Sequence, residues 1–308
     1  MASRFREMLV NMSPTLRRRI AAAVCVLGLS FIHSKAPSMG HASEQTTAAQ
    51  MEIVAHRGAS HDAPENTMAA FKLGWAQNAD AVELDILLSK DGRIVVIHDK
   101  DTKRLAGVDL PVVEQTLAEL RSLDAGRWKD AKFTGEKFPL LSEVLETIPD
   151  GKRLFIEVKC GAEVVPELVR ELKAAGKKPE QTAVIGFSAD AMAAVKQALP
   201  HLEVYWIVNI KPDPKSDKQP LPVDELIATA KRINADGLDL SACDTIDKAF
   251  GDKVRAAGLK LAVWTVDDPA VARAMQAAGV QSLTTNRPGW MREQLRLPVP
   301  QAKTTKSE

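Results

Sequence analysis

From residue 51 onward the chain alternates between two hydrophobic rhythms. Short apolar runs rich in β-branched residues, bounded by Gly, Asp or Pro, predict strands at Ile53–His56, Ala81–Ile86, Arg153–Lys159, Ala183–Phe187, Val204–Val208, Gly237–Leu240, Lys260–Val266 and Ser282–Thr285. Between them, apolar positions recur at helical spacing. Ala69, Ala70, Leu73, Gly74 and Trp75 form one such set, and Val165, Leu168, Val169 and Leu172 another. Ala191, Ala194, Val195 and Ala198 follow, then Leu226, Ile227, Ala230 and Ile233. Gly176, Gly258 and Gly279 stand just past predicted helices, where a left-handed residue ends a helix well. Regular strand–helix alternation implies a parallel sheet covered by helices. Eight units in about 250 residues is the size of a (β/α)8 TIM barrel. A doubly wound open sheet is the alternative, but it carries a Gly-rich turn after its first strand, and His56-Arg57-Gly58-Ala59 is not one.

One segment breaks the alternation. Ala81–Ser89 and Arg93–Asp99 both read as strands, and only Lys90-Asp91-Gly92 separates them. No crossover helix fits there, so the pair is a β-hairpin rising after the second strand. A tight turn centred between Lys90 and Asp91 would place Glu83 opposite His98 and Asp85 opposite Val96.

The amino terminus follows another logic. Arg17-Arg18-Arg19, the apolar run Ile20–Ile32 and the small residues of Gly40-His41-Ala42 are the three parts of a secretory signal peptide. The run is too short for a membrane span of about 20 residues. Cleavage is expected after Ala42, giving a leader at 1–42, a barrel domain at 43–296 and a polar tail at 297–308, with the product exported to the periplasm or beyond. Charge changes meaning with this division. The whole chain has 41 basic and 40 acidic residues. The leader carries six basic residues and one acid, leaving 35 basic and 39 acidic residues, a charge of −4, on the rest. Such a balance gives no support to a nucleic-acid binder or a polybasic membrane-surface protein. Cys160 and Cys243 follow the third and sixth barrel strands, on opposite sides of the barrel, and are expected to be free thiols.

The candidate chemistry gathers at strand ends. The first strand ends in His56-Arg57-Gly58, the second carries Glu83-Leu84-Asp85 and the third Glu157-Val158-Lys159. Alternation puts the two charges of each of the last pairs on one face. Three acids converging on one rim suit a hard cation, Ca2+ or Mg2+, better than zinc. Pairing of the acids with Arg57 and Lys159 in a purely structural network is the competing reading. His56 and His98, two of four histidines outside the leader, stand beside the acids, where they could exchange protons. His201 reads as surface or cap, and His61 as a loop residue. The combination suits chemistry at a phosphodiester.

At these residues the chain resembles the glycerophosphodiester phosphodiesterase family. The ordered motifs are His56-Arg57-Gly58, Pro64-Glu65-Asn66-Thr67, Glu83-Leu84-Asp85, Asp91-Gly92, His98-Asp99, Glu157-Val158-Lys159 and Trp264-Thr265-Val266, spread over about residues 53–290. The resemblance implies a TIM barrel that hydrolyses glycerophosphodiesters to an alcohol and glycerol phosphate with one divalent cation. It implies His56 and His98 as the acid–base pair, Glu83, Asp85 and Glu157 as metal ligands, and Arg57 and Lys159 at the phosphate. Trp264 would line the glycerol side, Glu65 would support the first loop or the metal site, and Asn66 would order that loop. The neighbouring glycerol hydroxyl would attack phosphorus, and water would open the cyclic phosphate that results. His61, Asp267 and Asn286 depart from the usual pattern and are expected to bear on substrate detail. The alternatives are a phospholipase-type phosphodiesterase acting on intact or lyso-phospholipids, which would favour an apolar rim, and a non-catalytic phosphodiester-binding protein.

Overall fold

The computed structural model describes residues 51–212 and 219–299. The expected leader, its cleavage point at Ala42 and most of the expected polar tail lie outside the described residues, as does the middle of the Pro-rich loop at 211–222. The described residues form eleven strands: β1 (Glu52–Ala55), β2 (Ala81–Leu88), β3 (Ile94–Val96), β4 (Asp101–Thr102), β5 (Val108–Pro111), β6 (Arg153–Val158), β7 (Thr182–Gly186), β8 (Glu203–Val208), β9 (Gly237–Ser241), β10 (Lys260–Trp264) and β11 (Ser282–Thr285). All eight strands expected from the hydrophobic rhythm are among them. They pair in parallel in the order β1-β11-β10-β9-β8-β7-β6-β2, and β2 pairs with β1 to close the ring. This is a (β/α)8 TIM barrel.

Strand alternation divides the buried residues between two layers. Val54, Phe155, Ile185, Tyr205, Ile207 and Ala262 fill the barrel, while residues such as Leu84, Val184, Leu238 and Leu261 pack outward against helices. The amino-terminal mouth is closed by charge. Arg153 bridges Glu52 and Glu203, Lys260 pairs with Glu203, and the Ser282 hydroxyl donates to Glu52 at 2.7 Å. Leu297 packs on the core and its amide donates to the carbonyl of Arg292 at 3.1 Å.

The hairpin exists, but its register differs from the expected one. Ile86 faces Val96 and Leu88 faces Ile94, one residue away from the alignment of Asp85 with Val96. The cause is the turn. The amide of Ser89 donates to the carbonyl of Arg93 at 2.9 Å, so three residues form the loop, and the last, Gly92, has φ +71°. A three-residue loop with a left-handed last residue is a standard hairpin closure. Residues 97–140 then fold over an apolar cluster of their own. It includes Val95, Ile97, Leu105, Leu120 and Phe138, and β4 and β5 pair antiparallel within this region. Cys160 and Cys243 are free thiols, and burial pushes the Cys160 thiol up to about 11.

Candidate active site

A pocket of about 130 Å³ opens at the carboxyl ends of the barrel strands, lined by His56, Arg57, Glu83, His98, Glu157, Lys159, Asp239 and Trp264 among others. The first loop is built around an unusual backbone. Arg57 has φ +53°, a left-handed conformation that is costly for a long side chain. It is held there from several sides. Its amide donates to Glu83 Oε2 at 2.8 Å, its Nη1 to Glu65 Oε1 at 2.9 Å, and its Nε lies 3.2 Å from Asp85 Oδ2. Gly58 follows at φ +81°, and a Cβ there would come within 2.5 Å of the Ala70 backbone. Only glycine lets the loop lie against the helix Met68–Ala76 in this way.

Three acids form the floor. Asp85 and Glu157 are register partners on β2 and β6, and Glu83 lies one alternation below Asp85. Ligand oxygens of Glu83, Asp85 and Glu157 all lie within 4.8 Å of one another. All three residues are buried. Glu83 Oε1 and Asp85 Oδ1 have no hydrogen-bond partner among the described residues. Burial and the charge of Asp85 push the Glu83 carboxyl well up, and the same two causes push Glu157 up to about 7. Buried carboxylates with free lone pairs, Glu83 and Glu157 among them with raised pKa values, suit a hard divalent cation, which would satisfy the free oxygens and favour the charged forms. Lys159 Nζ sits 2.7 Å from Glu157 Oε1 and 3.6 Å from Asp85 Oδ1, so both candidate phosphate-binding cations are paired with cage acids. Asn66, at φ +56°, donates from Nδ2 to Asp85 Oδ2 at 2.8 Å and from its amide to the Arg57 carbonyl at 3.0 Å.

The two histidines flank this floor, and each is fixed through Nδ1. His56 Nδ1 lies 2.7 Å from Asn286 Oδ1. The Asn286 amide is itself oriented, because its Nδ2 and backbone amide donate to the two oxygens of Asp267 at 2.5 and 2.8 Å. Its Oδ1 therefore faces the ring, and His56 Nδ1 must be the donor. Nε2 is the nitrogen left for a ligand. Burial and then the charge of Arg57 lower the His56 pKa to about 4. His98 Nδ1 lies 2.7 Å from Asp99 Oδ1. Hydrogen bonding from Arg104 heads the causes that hold Asp99 down at about 2. Arg104 also pairs with Glu65, which returns the chain of contacts to Arg57. Burial would raise the Glu65 carboxyl, but hydrogen bonds from Arg104 and Arg57 leave it below the usual range.

Similarity to known proteins decides the family. Residues 56–290 match the Glycerophosphoryl diester phosphodiesterase family. The chain belongs to that family. It is 34% identical over 240 residues to a glycerophosphodiester phosphodiesterase from Caldanaerobacter subterraneus, covering 77% of this chain and 94% of that one. A glycerophosphodiester phosphodiesterase from Bacillus subtilis is 29% identical over 292 residues, covering 89% and 97%. In structure it is similar to a phosphodiesterase from Oleispira antarctica in complex with the product sn-glycerol-3-phosphate, with TM-score 0.71, 27% identity and coverage of 80% and 96%. The protein is thus an enzyme, a phosphoric diester hydrolase acting on glycerophosphodiesters.

Within that family frame, the structure brings His56, Arg57, Glu83, His98, Glu157, Lys159 and Trp264 to one pocket, with Asp85, Glu65 and Asn66 directly behind them. His61 pairs with Asp62 at the surface, 2.7 Å away, and His201 lines a groove formed with residues 172–182. The reading of Asp267 and Asn286 as substrate detail is corrected: they set the orientation of His56, because Asn286 is the partner of its ring. Two further residues were missed. Phe187, 47% exposed, packs edge-on against Trp264 with centroids 5.7 Å apart and supplies an apolar rim. Asp239 is buried, and burial with the charge of Glu157 pushes its carboxyl up to about 8. Alternation along Gly237–Ser241 would have placed Asp239 inward.

Proposed function

We propose that the enzyme cleaves its diester by proton exchange between His56 and His98, with the substrate's own glycerol hydroxyl as first nucleophile. The observation that carries this reading is the paired geometry: two rings at one pocket, each anchored at Nδ1, each with Nε2 left for substrate. His56, neutral at pH 7 and steadied by a neutral amide, accepts the proton of the attacking hydroxyl. His98, backed by the Asp99 carboxylate, protonates the departing alcohol. The two exchange roles when water opens the cyclic phosphate. Arg57 and Lys159 face the phosphoryl oxygens, and Trp264 supports the glycerol carbons. A divalent cation, Ca2+ or Mg2+, held by Glu83, Asp85 and Glu157 would neutralise phosphoryl charge.

Export completes the proposal. It rests on the basic cluster, apolar run and small residues of the leader. Among the described residues no helix is long and apolar enough to cross a membrane.

His56→Ala and His98→Ala are each expected to lower turnover of glycerophosphocholine by about 10² to 10⁴-fold with an unchanged circular dichroism spectrum. Activity within twofold of wild type in both would sink the acid–base assignment. Running the wild-type assay beside lysophosphatidylcholine separates the glycerophosphodiester reading from the phospholipase one, which the apolar rim at Phe187 makes worth testing.

A further inference from the structure

Asp239 is a charge-bearing group that the proposed reaction does not use. It sits at the middle of β9, with Ile207 and Ala262 as its register partners on the two neighbouring strands. It is 2% exposed, it lines the pocket, and its Oδ1 has no hydrogen-bond partner among the described residues. A buried carboxyl oxygen without a donor is costly, and a native fold seldom keeps one without a use. The backbone around it is well ordered, since the Asp239 carbonyl accepts from Trp264 Nε1 at 3.2 Å.

Its place in the ring says what it can meet. The acid cage stands on β2 and β6, and β9 lies on the opposite side of the closed barrel, with β7 and β8 between it and β6. The wall beside Asp239 is apolar: Ile185, Ile207, Phe187 and Trp264. A phosphoryl group held over the cage would direct its glycerol carbons across the pocket onto that wall. The hydroxyl next to the ester carbon would stay near phosphorus. The terminal hydroxyl, furthest from phosphorus, would reach the far side, where the Asp239 carboxyl oxygen has no partner among the described residues.

We propose that Asp239 is a specificity-determining residue that accepts a hydrogen bond from the terminal hydroxyl of the glycerol moiety, so that the enzyme selects diesters of unsubstituted glycerol. The inference rests on the glycerophosphodiesterase reading and goes beyond it by naming what reads the glycerol. An acyl chain on that oxygen removes the donor. A carboxyl oxygen accepts such a bond whether or not the group is ionised.

The test compares glycerophosphocholine with the phosphocholine ester of propane-1,2-diol, which keeps the hydroxyl beside the ester carbon and lacks the terminal one. The wild-type enzyme should lose about 10 to 10²-fold in kcat/KM on the deoxy substrate, the cost of leaving a buried acceptor unpaired beside the bound substrate. Asp239→Ala should lose a similar factor on glycerophosphocholine and then discriminate less than threefold. Asp239→Asn, which keeps an acceptor, should recover part of the discrimination and melt at or above the wild-type temperature. Wild-type indifference to the terminal hydroxyl, or undiminished discrimination in Asp239→Ala, would overturn the inference while the glycerophosphodiesterase reading stands. So would a tenfold rise in the Ca2+ or Mg2+ concentration needed for half-activation in Asp239→Asn, which would make the residue part of the cation cage. A lower melting temperature in that variant would mark a structural carboxylate and overturn it equally. Failure of the wild-type enzyme to cleave glycerophosphocholine at all would overturn the reading of the pocket and this inference with it.

Discussion

At the scale of single residues, the site works by giving each reactive group one available orientation. Asn286 shows how. Its Oδ1 accepts from Ser60 Oγ at 2.8 Å as well as from the His56 ring, while Asp267 takes its donors. An amide oriented in this way fixes the tautomer of the histidine without adding charge beside it. Asn286→Ala is therefore expected to lower kcat about 10 to 10²-fold with little change in KM, as loss of an outer partner does at comparable sites; steady-state kinetics on glycerophosphocholine would measure it. Activity within twofold of wild type would mean that His56 is held by the backbone alone. The contact was not legible in the sequence, since 230 positions separate the two residues and nothing local marks Asn286 as a partner. His56, His98 and the three cage acids were legible because each lies in or just after a run with a clear strand signal, and alternation puts Glu83 and Asp85 on one face. Arg104 was not. Its pairing with Glu65 spans 39 positions across a region with little strand rhythm.

At the scale of elements, the two histidines belong to different pieces of architecture. His56 follows β1 in the barrel wall. His98 follows β3, in the segment that folds over Val95, Ile97, Leu105, Leu120 and Phe138. Sequence periodicity found the barrel strands and the hairpin, because strand and turn signals there are local and strong. It missed the one-residue register shift, because a three-residue loop closed by Gly92 and a two-residue turn leave nearly the same signature. It also missed β4 and β5, whose two and four residues are too short to show a period. The division has a consequence for stability. Phe138 is 1% exposed within this second cluster, and Phe138→Ala is expected to cost that segment about 3–5 kcal/mol. In a urea titration of this variant, activity should disappear before the far-ultraviolet dichroism of the barrel falls, because a segment with its own core can open by itself. Coincident loss of both signals would show that the segment and barrel unfold as one unit.

At the scale of the whole molecule, the acid floor ties stability to pH and to cations. Glu157 holds its proton more tightly in the folded state, at about 7 against an ordinary value of 4.5. Its contribution to stability is thus fully present below pH 4.5 and is lost as pH rises through about 7. A cation binds the ionised form and at low pH must displace the proton. Added Ca2+ or Mg2+ should therefore raise the melting temperature more at pH 8 than at pH 5, and Glu157→Gln should remove most of that difference; an equal rise at both pH values would separate the cation from this floor. Closure of the barrel carries a different kind of consequence. Below the site the interior is filled by Val54, Phe155 and Tyr205, and the amino-terminal mouth is bolted by Arg153, Glu52, Glu203 and Lys260. Among the described residues, the site is open at the carboxyl ends of the strands, and on that route molecules enter and leave. On the proposed reaction a diester goes in glycerol first, with its alcohol nearest the exit. Traffic is then sequential by construction: the alcohol departs first, water follows into the space it vacates, and glycerol phosphate leaves last.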